Sequence, residues 1–207
     1  MTWQRWKAFV AGALTAFVVV ELIWFLTSAA HAGDMTVDLG EKNPGVHMLY
    51  DHQLVKVEPA FEDYSFMLFD ICDAMGLKGD DCMNYPMNGE IGGNAIATIL
   101  DSNKIIVYDR RLSPIVGSDG AEVIVAHEVG HIYCGHIGTP TDPKQELEAD
   151  RFAGAAMRLM KRPLEATLAT LPILSERPGR THPGRAERIA ALMEGWEHPE
   201  TGKSCRK

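Results

Sequence analysis

Residues 121–135, AEVIVAHEVGHIYCG, hold the pattern around which the rest of the chain is read. Within them HEVGH sets His127 and His131 four residues apart, one above the other on a helix face with about 5–6 Å between Cβ atoms. Both imidazoles therefore reach one metal ion. Glu128 follows on an adjacent face, where a carboxylate can hold a metal-bound water without itself ligating. Asp119 with Glu122 three residues on reads as an N-terminal capping box, and Gly135 as the stop. Val123, Ile124, Ala126, Val129, Ile132 and Tyr133 leave the helix apolar almost all round, which predicts that it is buried. Two buried imidazoles and a carboxylate need partners, and a metal with its water supplies them. An ordinary core helix carrying the pattern by chance is the competing reading.

Downstream, Asp142-Pro143 marks a new helix, with Asp as cap and Pro in the first turn. Glu146 stands 15 residues after His131, in the first turn of that antiparallel helix. It can complete a site of three protein ligands with one open position. Asp150, one turn on, is placed to accept a hydrogen bond from the distal nitrogen of a ligating imidazole. Glu148 is the rival ligand, but it lies about 200° round the helix from Glu146, so both cannot face the ion. Solvated carboxylates on an exposed helix are the plainer alternative. His182, between Thr181 and Pro183, either points at the metal as an extra ligand or transition-state donor, or caps the final helix at 185–196. Arg185 and Arg188 are further candidates for stabilising an oxyanion.

Upstream, NAIATIL at 94–100, a DSNK turn and IIVY at 105–108 predict a β-hairpin. Its edge, beginning at Asn94 and Ala95, either offers main-chain hydrogen bonds to an extended peptide or only roofs the core. Residues 58–75 have a helical pattern, started by Pro59 and ended at Gly76. Residues 33–57 read as an extended lead-in in which His47 and His52 are exposed. A third helical pattern covers 163–174, and 199–207 is a polar, loose tail. The domain itself spans 58–198.

The chain has 207 residues, enough for one domain with a real core. Residues 1–32 are set apart: Arg5 and Lys7, then an apolar run over 8–26, then a small-residue end at Ala30-His31-Ala32. That is an export signal cut after Ala32, or, because the run approaches the ~20 residues that span a bilayer, an uncleaved membrane anchor. Either reading places the domain outside the cytoplasm, in the periplasm or on the periplasmic side of the inner membrane. Net charge is −8, and loss of Arg5, Lys7 and Glu21 with the leader leaves −9, which argues against a nucleic-acid partner. Four cysteines fit an oxidising compartment. Cys72 with Cys82 is the favoured local pair and Cys134 with Cys205 the remainder, with Cys134 as a buried free thiol the alternative.

Taken together, HEVGH, ELEAD and THPGRAERI resemble the HtpX-like and CAAX-prenyl-protease-like branch of the gluzincin metallopeptidases, over roughly residues 94–196. The resemblance implies an α+β, mainly helical zincin-like domain with a small β-hairpin or sheet beside the HExxH helix. It implies one Zn2+ held by His127, His131 and Glu146, with Asp150 behind the ligands. It also implies a zinc-dependent endopeptidase that hydrolyses polypeptide substrates among exported or membrane-associated proteins, through a zinc-activated water with Glu128 as general base. The gap from His131 to Glu146 is short compared with many members, and the sequence shows neither the multi-span membrane body of several relatives nor a tetratricopeptide pattern. Substrate and regulation therefore do not carry over. The metzincin pattern is excluded, since its glycine and third histidine would fall on Cys134 and Ile137. A second class of function stays open: a low-turnover, zinc-containing periplasmic binding or quality-control factor.

Overall fold

The computed structural model describes residues 36–37, 46–60, 63–82, 84–140, 142–180 and 182–205; the leader read at 1–32 lies outside them. The strands are β1 (Thr36–Val37), β2 (Val46–Tyr50), β3 (Gln53–Pro59), β4 (Asn84–Gly89), β5 (Ala95–Leu100) and β6 (Asn103–Tyr108). They form one sheet in the order β1-β2-β3-β4-β6-β5, antiparallel except for the β4/β6 pair. The helices are α1 (Asp63–Ala74), α2 (Ser113–Cys134), α3 (Pro143–Leu159), α4 (Leu164–Thr167) and α5 (Arg185–Glu197). The chain is therefore α+β, with the HEVGH helix α2 next to the edge strand β5.

IIVY is apolar without a break because β6 is covered on both faces. Ile106 and Tyr108 join the core beneath the helices, while Ile105 and Val107 pack with Met48, Val57, Ile91 and Leu100 on the other side. The β5/β6 loop is tighter than the predicted four residues. Asp101 and Ser102 alone form it, both at positive φ (48° and 63°), the geometry of a two-residue type I′ turn, and Asn103 and Lys104 continue the strand.

Three glycines set the helix spacing. A Cβ on Gly130 would come within 3.0–3.2 Å of Phe152 and of the Ala149 backbone, so its absence lets α2 lie close against α3. Gly154 of α3 and Gly195 of α5 meet reciprocally: a Cβ on the first would collide with the Leu192 carbonyl, and on the second with the Arg151 carbonyl. The three helices are thus locked backbone to backbone, which is what close ligand geometry requires.

Several sequence expectations are corrected. Glu58 and Pro59 end β3, and the first helix starts at Asp63. The lead-in at 33–57 contributes β2 and β3 to the sheet, held by pairing with β4, and His47 sits in β2 while His52 occupies an exposed hairpin turn. Helix α2 begins at Ser113, is kinked at Gly117 (φ 65°, ψ −171°), and is not capped by an Asp119/Glu122 box; the Glu122 carboxylate instead accepts from the Arg162 guanidinium at 2.7 and 2.9 Å. The pattern at 163–174 breaks into α4 and the 3-10 turn Leu171–Ile173. The tail is not loose, since Pro199–Lys203 forms a 3-10 helix, Lys203 donates to the Met75 carbonyl (2.9 Å), and Cys205 is bonded to Cys134. Cys72 pairs with Cys82 and Cys134 with Cys205, so Cys134 is not a free thiol, and the two disulfides indicate an oxidising environment outside the cytoplasm. Among the described residues, no helix is long and apolar enough to cross a membrane.

Asp109 ties the loop before β5 to the 3-10 turn Arg110–Leu112 that leads into α2. Its carboxylate, whose side chain is 2% exposed, accepts from the N–H groups of Ile91 (2.9 Å), Gly93 (2.8 Å) and Arg111 (2.9 Å) and from the Arg111 guanidinium (2.6 Å). The Arg111 guanidinium foremost, with those backbone donors, outweighs burial and holds the carboxyl well below the usual range. Because the folded-state pKa is depressed, its contribution is complete above pH about 4 and is lost as pH falls further. Asp109→Asn is expected to cost about 2 kcal/mol at pH 7 in urea unfolding, with a smaller gap from the parent at pH about 2.5. An equal gap at both pH values would contradict this role.

Candidate metal centre

The C-terminal half of α2 carries His127, Glu128 and His131, and Gly135 at φ 75° ends the helix as expected. Asp142 caps α3 through the Lys144 N–H (3.0 Å), which sets Glu146 in its first turn, facing α2. The approach allowed by Gly130 then brings three donor atoms together. His127 Nε2 lies 3.0 Å from His131 Nε2, Glu146 Oε2 is 3.6 Å from His127 Nε2, and Glu146 Oε1 is 3.5 Å from His131 Nε2. Each imidazole nitrogen thus has a different Glu146 oxygen nearest it, and one ligand atom from each residue lies within 4.8 Å of the other two, close enough for a single ion to bridge them.

The hydrogen bonding behind the ligands tests the fit. His127 Nδ1 is 2.9 Å from Asp150 Oδ1, and a carboxylate can only accept, so a proton sits on Nδ1 and Nε2 is the nitrogen turned inward, the one a metal would take. Without a metal, a second proton on His127 has to lie between its Nε2 and the acceptors His131 Nε2 (3.0 Å) and Glu146 (3.6 Å); a metal ion would take that proton's place. His127, His131 and Glu146 can hold a metal ion. Without one, burial works against charge on His127, but Asp150 and Glu146 outweigh it and raise its pKa to about 9. Burial and the neighbouring His127 push His131 down to about 3. Burial alone would favour a neutral Glu146, yet His127, His131 and Arg188 draw it down to about 2.

A cavity of about 420 Å³ opens beside these atoms. Glu128 lines it, buried to 7% exposure; burial raises its pKa, and its carboxylate accepts from the Ala97 N–H of β5. The Asn94 carbonyl is bonded to the Asp109 N–H (3.0 Å), which turns the main-chain groups of Ala95, Ala97 and Ile99 outward along the sheet edge. Ala95 thus lies on the open edge and lines the cavity. Asn94 lines the cavity, but its main-chain oxygen faces β6 and its side-chain amide meets Tyr50 Oη at 3.2 Å.

The three oxyanion candidates separate. Arg185 does not line the cavity; its guanidinium donates to the Leu174 carbonyl at 2.6 and 3.0 Å. Arg188 reaches the wall, but its guanidinium is committed to Asp150 through bonds of 2.7 Å to each oxygen. His182 lines the cavity, 56% exposed, with Nε2 3.7 Å from Glu146 Oε2. Glu148 faces away from the three donors and meets His136 Nε2 at 2.9 Å. Asp109, Gly130 and His136 are the residues that sequence reasoning missed. Only His136 left a trace, a histidine five residues after His131 and directly after the helix stop.

No family model, curated protein or solved structure matches the chain.

The Asp150–Arg188 pair is nearly sealed, at 3% and 15% exposure. Asp150→Ala takes both hydrogen bonds from a buried guanidinium and leaves it the more distant Glu146 carboxylate at 3.8 Å, and is expected to cost about 3 kcal/mol in urea unfolding with chelator present. Replacing both residues by leucine should cost clearly less. A single variant as stable as the parent would contradict the pairing.

Proposed function

We propose that the chain is a zinc-dependent endopeptidase with a zincin-like domain, acting on exported or membrane-associated polypeptides in the periplasm or on that side of the inner membrane. The observation that carries this reading is one cavity holding two convergent imidazole nitrogens, a ligand-positioned carboxylate, a second buried carboxylate and a sheet edge. The resemblance to the HtpX-like gluzincins, made on HEVGH, ELEAD and THPGRAERI, supports it from the sequence side. Zinc is the favoured ion, because two imidazoles and one carboxylate with a free fourth position are a catalytic zinc donor set. Bound there, it supplies Lewis acidity to the scissile carbonyl and brings water toward deprotonation near neutral pH.

The chain's own groups do the rest. An extended peptide lies along β5, bonded to the outward groups of Ala95 and the carbonyl of Ala97, since the Ala97 N–H is engaged by Glu128. Glu128 accepts the proton of the attacking water and returns it to the leaving amine; burial lifts its pKa toward the working range of a base. His182 donates to the developing oxyanion, since it lines the cavity with Nε2 3.7 Å from Glu146, whereas Arg185 lies off the wall and Arg188 is held by Asp150.

Glu128→Gln should keep zinc while casein hydrolysis falls about 10²–10⁴-fold, and Glu146→Ala should yield its zinc to a chelator that the parent resists. Undiminished hydrolysis by the Gln variant would remove Glu128 as the base.

A further inference from the structure

His131 Nδ1 lies 3.0 Å from Nδ1 of His136, and His136 Nε2 lies 2.9 Å from Glu148 Oε2. Two ring nitrogens at that separation share one proton. The Glu148 carboxylate can only accept, so His136 carries its proton on Nε2 and presents a lone pair at Nδ1. The shared proton must then belong to His131 Nδ1, which leaves the His131 Nε2 lone pair facing Glu146 and His127.

We propose that His136 and Glu148 form a tautomer relay that holds His131 in its metal-ligating form. The proposal rests on the metal centre described above. Asp150 does the equivalent for His127 directly, from the α3 face next to Glu146. Glu148 lies round the helix from Glu146 and reaches His131 only through the connecting loop. The αL turn at Gly135 folds that loop back, and His136 is held there by its N–H on the His131 carbonyl (3.0 Å) and by Thr139, whose hydroxyl donates to the His136 carbonyl (2.6 Å). The His136 side chain is 8% exposed, so water is poorly placed to substitute as the acceptor. Each ligating histidine thus has its own carboxylate from α3, one in contact and one relayed.

The relay makes opposite predictions for variants of similar size. His136→Leu removes the acceptor, and Glu148→Leu frees His136 to move its proton to Nδ1, where it opposes the proton of His131. Both are expected to weaken zinc binding about 10–100-fold in a competition titration with a chelator. His136→Asn keeps an acceptor near the Nδ1 position and Glu148→Gln keeps one for Nε2, so both should stay within about threefold of the parent. Glu148 is 37% exposed, so its variants should fold even where His136→Leu does not. Long-range 1H–15N spectra of the zinc-loaded parent should show His136 protonated at Nε2, and Glu148→Leu should lose that preference. Parent-like affinity in both leucine variants, or His136 protonated at Nδ1 in the parent, would overturn the relay alone. A parent that binds no zinc would overturn the metal centre and the relay with it.

Discussion

Close approach of α2 and α3 at Gly130 and Ala149 is the constraint on which the site depends. Neither helix alone brings a histidine pair and a carboxylate to mutual distances of 3.0–3.6 Å. A methyl group at position 130 would push against Phe152 and the Ala149 backbone and widen that triangle. The second lock, Gly154 on Gly195, holds α5 against the far side of α3 and delivers Arg188 to Asp150. Small residues here set the distances on which the chemistry of larger ones depends.

Burying so many ionisable groups together is costly unless each has a counterpart. The molecule meets that cost in nested pairs: Arg188 with Asp150, Asp150 with His127, Glu148 with His136, His136 with His131. What remains is the centre, where the two Nε2 atoms and Glu146 converge. His127, His131 and Glu146 could hold a metal ion there, on the side where the cavity opens. The edge strand completes the arrangement, since Asp109 holds the loop before β5 and caps the 3-10 turn Arg110–Leu112 that leads into α2.

Periodicity, capping and spacing made much of this legible. HEVGH on a buried helix, Asp142-Pro143 as the next start, Glu146 one short connection away and the hairpin at 94–108 are local signals, and the structure places them as read. Other features depend on tertiary contacts and leave weak traces in a single sequence. Residues 46–59 carry no long alternation because β2 and β3 expose Leu49 and Leu54, so their strand character comes from pairing. Pro59 resembles a helix start but ends a strand. The tail is polar, yet a disulfide and the Lys203 bond to Met75 pin it. Arg188 was visible as a basic residue near the site, but only the fold reveals that its charge is taken up by Asp150.

The most direct test is where a zinc ion sits. Anomalous diffraction at the zinc edge from crystals of the metal-loaded protein should give one strong peak, about 2.0–2.2 Å from His127 Nε2, His131 Nε2 and a Glu146 oxygen. No peak at that position, or one whose ligands leave out Glu146, would contradict the account.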